Sequence, residues 1–451
     1  MFRRILIANR GEVAVRLARA ARELGVSPVG VVSEADRDAS WISVFDDVVG
    51  IGPAAATQSY LRMDRLVQAA RQTGCTALHP GWGFLAESPR FARLVRQHGI
   101  AFCGPDAGLM ELLGTKSPAK RAMAEVGLPV IPGSDGPLAD ADAAAACARE
   151  VGFPVILKAD SGGGGRGMRL CHDEAEVREA FATATAEARA AFGSGAIYLE
   201  RYLTGGRHIE VQVLCDDWGA GVHLGERECS VQRKHQKLIE ESPSPALDDD
   251  ARAELGERAL LAALGLGYTG AGTIEFMRAP DGALFFLEMN TRLQVEHPVS
   301  ELVSGVDIAA RQIEVAAHRR LGLAQSDIQL EGHAIECRIN AEDPSDGFRP
   351  TPGTLEALLI PTDRGPGRVR VDTHLVAGDT ISPHYDSLIA KVIVHGATRA
   401  EAIETMRATL GAADVRGVST TIPLHLAVLD SKEFCSGNYD TGSIPGWKED
   451  A

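Results

Sequence analysis

At 451 residues the chain is long enough for two or three domains with substantial cores. An apolar share of 45% and a charged share of 24% are those of an ordinary soluble globular protein. The net charge of −15 excludes nucleic acid and anionic membrane as principal partners, and eight cysteines without a C-x-x-C pair exclude zinc and disulfide scaffolds. No window is apolar enough to span a membrane, and a strand that starts almost at once leaves no room for a signal peptide. Together these features predict a cytoplasmic protein.

Residues 1–104 alternate strand and helix. Strands are expected at 5–8, 29–32, 76–79 and 100–103. Helices are expected at 12–24, from a Ser59 cap to 72, and from Ser88 or Pro89 to 98. This alternation implies a parallel sheet with helices on both faces. The first turn, Asn9-Arg10-Gly11-Glu12, lacks G-x-G-x-x-G, which excludes a dinucleotide fingerprint. The stretch from Gly108 through Gly114 to Lys116 misses the P-loop spacing, yet Lys116 remains a compact charge suited to a phosphate. Lysine is scarce here, eight of the 46 basic residues.

A smaller unit follows, with a helix at 139–151, a strand at 154–159 carrying Lys158, a second strand at 169–171 and a helix at 174–191. Between the two strands lies Gly162-Gly163-Gly164-Gly165-Arg166-Gly167. This run leads into a strand rather than a helix, so it reads as a glycine-rich hairpin loop whose N–H groups can fold over phosphates. A plain flexible loop is the alternative. Residues 196–203 read as a strand with an edge-like end. His208, Glu210 and Gln212 give the next strand one polar face. The run 225–237 is charged throughout, and its composition favours a solvated loop. A helix is expected at 249–264.

Residues 272–277 read as a strand, and Asp281-Gly282 as a two-residue hairpin loop. Counting outward from that loop places Glu275 opposite Glu288 and Thr273 opposite Asn290. Two facing carboxylates repel, and with a neutral oxygen they suit Mg²⁺ or Mn²⁺. From Glu288 to Glu296 every second residue is polar, so Glu288, Asn290, Arg292, Gln294 and Glu296 share one face while the chain stays extended. A half-buried strand with a wet face is the bland alternative. Beyond Pro298 a helix is expected to about 318, then a linker at 323–331. Strands follow at 333–340, 369–372 and 388–395, and a helix is capped by Thr398 with Glu401.

The order of parts resembles an ATP-grasp enzyme. The runs Glu226-Arg227-Glu228-Cys229-Ser230-Val231-Gln232-Arg233-Lys234-His235-Gln236-Lys237 and Glu288-Met289-Asn290-Thr291-Arg292-Leu293-Gln294-Val295-Glu296-His297 resemble the two signatures of biotin carboxylase, over essentially the whole chain. The resemblance implies a doubly wound parallel α/β domain (1–114), an ATP-grasp domain (115–322) with a mobile glycine-rich lid (about 130–203), and a C-terminal α+β domain (333–445).

It also implies roles. Lys116 and Lys158 would contact ATP phosphates beneath Gly164 and Gly165. Glu200, Arg201, Tyr202 and Leu203 would hold adenine, and His208, Gln232 and His235 would line the nucleotide pocket. Glu275, Glu288 and Asn290 would bind Mg²⁺ or Mn²⁺, the set the hairpin count reaches independently. Lys237, Arg292, Gln294 and Val295 would hold bicarbonate, Glu296 would be the general base, and Arg338 would stabilise the biotin enolate. No Ala-Met-Lys-Met biotinylation signature occurs in the sequence, so biotin is expected on a separate carboxyl carrier protein serving a carboxyltransferase, with this chain a homodimer. Acetyl-CoA is the expected final acceptor, with propionyl-CoA, pyruvate or another acceptor as alternatives. An ATP-grasp ligase acting on an amine is a further reading, and Lys237 with Arg292-x-Gln294-Val295-Glu296 argues against it. A silent nucleotide-binding scaffold is the third.

Overall fold

The computed structural model describes residues 1–160 and 168–448. Near the N-terminus, apolar strands with helical crossovers build a five-stranded parallel sheet, in the order Asp47–Gly52, Ser27–Ser33, Arg4–Ile7, Ala77–His79, Ala101–Phe102. The first of these was not anticipated, because its mixed sequence lies at an exposed edge. Helices Gly11–Glu23, Met63–Gln72 and Pro89–Gln97 pack on the sheet. Ser88 caps the last of them, its hydroxyl accepting from the Phe91 N–H at 3.3 Å. Ser59 caps nothing. Its hydroxyl donates to the Ala55 carbonyl (2.9 Å) beside a short 3₁₀ turn, and the helix begins only at Met63. Lys116 opens a further helix, Lys116–Glu125, which composition did not reveal.

The smaller unit, expected to be a lid, is a three-stranded sheet, Arg169–Cys171, Val155–Ala159, Ile197–Arg201, covered by helices Ala141–Val151 and Glu174–Phe192. Residues 161–167, and with them Gly164 and Gly165, lie outside the described residues.

The largest element is an antiparallel sheet of eight strands. Its order is Leu284–Asn290, Gly270–Arg278, Arg207–Cys215, Gly221–Arg233, Gln236–Ser242, His333–Asn340, Leu388–Gly396, Arg368–Thr373. Strands from beyond residue 330 thus hydrogen-bond directly onto those of residues 207–290. The charged run at 225–237 is a correction: it forms most of a buried hairpin rather than a solvated loop. Glu226, Arg227 and Glu228 are buried, and each is matched by an opposite charge: Arg252, Glu210 and Arg207 respectively. Charges paired inside a sheet leave no hydrophobic alternation to read. The helix expected to 318 is also two helices, His297–Ser304 and Ile308–Ala316. Gly305 ends the first at φ +71°, and Asp307 caps the second by accepting from the Ala310 N–H at 2.7 Å. Thr398 caps Arg399–Gly411 as expected. No helix among the described residues is long and apolar enough to cross a membrane.

Candidate active site

A cavity of about 730 Å³ opens between the eight-stranded sheet, the lid and the N-terminal unit. Every described residue assigned to the site from the sequence lines it. Lys116, Lys158, Glu200, Arg201, Tyr202, Leu203, His208, Gln232, His235, Lys237, Glu275, Glu288, Asn290, Arg292, Gln294, Val295, Glu296 and Arg338 come together from segments more than two hundred residues apart.

One wall is the 270–290 hairpin. Glu275 faces Glu288 and Thr273 faces Asn290, as the sequence predicts, but two departures cancel to give that register. The turn is one residue longer than the Asp281-Gly282 loop: Ala279 pairs with Ala283 (2.7 Å), and Phe276 lies opposite Phe286. A bulge between Glu275 and Phe276 then restores the count. The strand stops at Asn290. Residues 291–296 therefore do not continue as an extended face. Instead Glu87, from the N-terminal unit, accepts from the Thr291 N–H (3.2 Å) and from Arg292 Nε (2.9 Å) and turns the chain. Lys391, wholly buried, donates to the Val295 carbonyl at 2.9 Å and pairs with Glu12 at 2.9 Å.

At the centre Lys237 Nζ lies 2.6 Å from Glu210, 3.1 Å from Glu275 and 2.5 Å from Glu296. Burial opposes its charge, but the three carboxylates outweigh burial and hold the ammonium well above its usual range. Glu296 is buried too, yet Lys237, Arg338 and Arg227 keep its carboxyl well below the ordinary value. The Arg338 Nη2 group donates to Glu296 at 2.9 Å, and Nε donates to Glu240 at 2.6 Å. Arg292 reaches Gln294 Oε1 (2.9 Å) and Asn290 Oδ1 (3.1 Å). An ionised Glu296 held by Lys237 and Arg338, with Arg292 lining the same cavity, is suited to gripping a small anion and removing its proton.

The lid side carries the two expected phosphate lysines. Lys158 donates to Glu200, which Lys120 also reaches at 3.2 Å. Burial favours the neutral acid, but these two ammonium groups hold the Glu200 carboxyl below its usual value. Lys116 pairs with Glu288 at 2.7 Å. The N–H groups of Arg201 and Tyr202 bond to the Pro132 and Pro154 carbonyls at 2.8 and 2.9 Å, which fixes the segment proposed for a base.

Family models match three stretches of the chain: the N-terminal domain of biotin carboxylase (1–110), the ATP-binding domain of the carbamoyl-phosphate synthase L chain (115–324) and the C-terminal domain of biotin carboxylase (336–445). Biotin carboxylase of Pseudomonas aeruginosa is 50% identical over 438 residues, covering 97% of this chain and 96% of its own. The chain belongs to the biotin carboxylase family. Membership makes it an ATP-dependent carboxylating ligase with biotin carboxylase activity. The biotin carboxylase of Campylobacter jejuni, solved as a β-γ-ATP complex, superposes with a TM-score of 0.95 at 46% identity, over 98% of each chain. The biotin carboxylase domain of Hydrogenobacter thermophilus 2-oxoglutarate carboxylase superposes at 0.94 with 45% identity, over 98% of this chain and 96% of its own. That domain was solved as a dimer with MgADP, ADP and bicarbonate.

Several residues of this biotin carboxylase site were not singled out from the sequence. Glu87 holds Arg292, Glu210 holds both Lys237 and Arg227, and Glu240 holds Arg338. Glu210 had a signal, its place on the polar face of the 207–215 strand. Glu87 and Glu240 had none, because each meets its partner only after distant segments pack. The donor set of Glu275, Glu288 and Asn290 fits a hard divalent cation: two carboxylates in register plus an amide oxygen. In this structure Lys116, Lys237, His208 and Arg292 lie on the same oxygens, so an arriving cation would replace those contacts.

Proposed function

We propose that the chain carboxylates biotin borne on a separate biotin carboxyl carrier protein. This would be the first half-reaction of an acyl-CoA carboxylase, with acetyl-CoA as final acceptor. The observation that carries the reading is the grip of Lys237 and Arg338 on the ionised Glu296, in one cavity with Arg292, Gln294, Lys116 and Lys158.

Bicarbonate is a weak nucleophile that must approach a polyanion. Arg292 offers it a planar fork, and Lys237 a compact charge. Glu296 takes the bicarbonate proton as a bicarbonate oxygen attacks the γ-phosphorus of ATP and ADP leaves. Lys237 ties Glu296 down in the structure. When Lys237 turns toward bicarbonate, it releases the pull that depresses Glu296 and makes the carboxylate a better base at the moment of attack. Lys116 and Lys158 would hold the phosphates, exchanging Glu288 and Glu200 for phosphoryl oxygens. Glu275, Glu288 and Asn290 would hold Mg²⁺ or Mn²⁺, whose charge offsets that building on the phosphate oxygens. Carboxyphosphate then yields CO₂ and phosphate, the phosphate removes the ureido proton of biotin, Arg338 would stabilise the resulting enolate, and the ureido nitrogen attacks CO₂ to give carboxybiotin.

The decisive assay is ATP cleavage by the purified chain. It should require bicarbonate and rise with free biotin. Stimulation by an amine instead would overturn the reading. Transfer from the co-purified carrier to a panel of acyl-CoAs and 2-oxo acids tests the acceptor. The 2-oxo acids belong in that panel because the H. thermophilus relative is a domain of a 2-oxoglutarate carboxylase. That relative is a dimer, and sedimentation of this chain as a dimer is the matching expectation.

A further inference from the structure

Beneath Arg338 lies a pair of acids that the chemistry above does not use. Glu240, on the Gln236–Ser242 strand, and Glu336, on the His333–Asn340 strand, are register partners, and both are wholly buried. Directly opposed Cβ atoms lie about 4.5–5.5 Å apart, so like charges there repel. One oxygen of Glu240 accepts from Arg338 Nε at 2.6 Å. Its other oxygen, and both oxygens of Glu336, have no hydrogen-bond partner among the described residues. Arg338 extends the line to Glu296 at 2.9 Å.

The cations around the pair are already engaged by other carboxylates. Arg338, Glu296 and Lys237 act on Glu240, and Lys391, Arg338 and Glu296 act on Glu336. Arg338 already serves Glu240 and Glu296, Lys237 serves three carboxylates, and Lys391 serves Glu12 with Asp372 at 3.9 Å. The neighbouring Gly221–Arg233 strand adds the Cys229 thiol, which burial keeps protonated, and the buried Arg227, which Glu210 engages. The overlying helix His297–Ser304 adds His297, which burial keeps neutral, and Glu301, which Arg16 and Arg370 engage. The reverse face of the His333–Asn340 strand is apolar, with Ile335, Cys337 and Ile339.

We propose that Glu240 and Glu336 hold one proton between them and act as positioning residues that set the charge Arg338 presents to biotin. This rests on the role of Arg338 in the proposed function. With the pair singly ionised, Glu240 orients the guanidinium toward the developing enolate and no charge on Glu336 adds to that of Glu240. Loss of the shared proton adds a further negative charge beside Arg338, which already contacts Glu240 and Glu296, and weakens its attraction for the enolate. The directions agree: burial pushes Glu336 well above the carboxylate range, and pushes Glu240 up to about 7 against the pull of Arg338. For acids raised in this way the proton is present at lower pH and is lost as pH rises, so the effect is an alkaline limb.

The test is the pH profile of biotin-stimulated, bicarbonate-dependent ATP cleavage by the full chain, wild type against E336Q. The amide at 336 cannot ionise, so the pair cannot reach two charges. Wild type should lose about tenfold in kcat/KM for biotin per pH unit beyond its midpoint. E336Q should hold its neutral rate through that limb, within about twofold of wild type at the optimum. An E336Q limb that superimposes on the wild-type limb overturns the inference. If E336Q does not fold, infrared titration of wild type decides. A protonated-carboxyl band should disappear over the same pH range as the rate, and a band unchanged across the limb overturns the inference. A wild-type chain that ignores biotin altogether refutes the proposed function instead.

Discussion

Replacing Lys237 with Met should be the most damaging single change in the site. The ammonium lies 2.5–3.1 Å from three carboxylates, each of them buried. Removing one member of a buried ion pair costs roughly 3–5 kcal/mol, because the other charge is left uncompensated. Here Arg227, His208 and Arg338 still contact Glu210, Glu275 and Glu296 respectively, so a loss near the lower bound, about 3 kcal/mol, is expected. The pH dependence follows from the direction of the shifts. Lys237 is the largest favourable influence holding both Glu275 and Glu296 below the ordinary carboxylate value against burial. Stability from such groups is present above the unfolded value, about 4.3, and is lost as pH falls toward the folded one. The deficit of K237M should therefore be full at pH 7 and shrink below about pH 5 as its unpaired acids take up protons. Urea unfolding at pH 7 and at about pH 4 reads this directly. Bicarbonate-dependent ATP cleavage should fall by at least about 10²-fold, the usual cost of removing a charge-stabilising donor. A K237M protein as stable as wild type at pH 7, with turnover within threefold, would refute the reasoning.

Three further outcomes are expected. Glu87→Gln should raise KM for bicarbonate about fivefold with little change in kcat, since the half-exposed Glu87 orients Arg292 from outside the cavity. A kcat loss with KM unchanged would place Glu87 in the chemical step. Glu241 accepts from Arg399 and Tyr439 and lies 2.6 Å from His333, and despite burial its carboxyl is pulled down to about 2. That depression, from 4.5 to about 2, corresponds to about 3 kcal/mol present above pH 5 and lost progressively toward pH 2. Acid titration of Glu241→Gln by circular dichroism should show a correspondingly flatter profile, and an unchanged slope would contradict the assignment. Glu288→Gln removes one proposed cation ligand and the partner of Lys116, so half-maximal ATP cleavage should need on the order of tenfold more Mg²⁺. An unaltered Mg²⁺ requirement would remove Glu288 from the metal set.

The sequence by itself determined the type of most elements, because local propensity and hydrophobic period act over a few residues. It marked the N-terminal α/β alternation, the lid strands around Lys158, and the pairing of Glu275 with Glu288. It did so even though the loop length was one residue short and a bulge made good the difference. Its two signatures pointed to the cavity residues that the fold brings together. What it did not determine was whatever depends on charges meeting across the fold. Arg227, Glu226 and Glu228 read as solvent-facing because hydrophobic patterning carries no sign of a buried ion pair; their partners at 210, 252 and 207 appear only when strands align. The continuous sheet from residue 207 to residue 396 was hidden for the same reason, since hydrogen bonding between Gln236–Ser242 and His333–Asn340 joins segments some hundred residues apart. Only that alignment sets Glu240 opposite Glu336 and brings Arg338 to Glu296. Tertiary structure decided these because electrostatic pairing in a dry interior depends on distance and burial, and neither is written in the local order of residues.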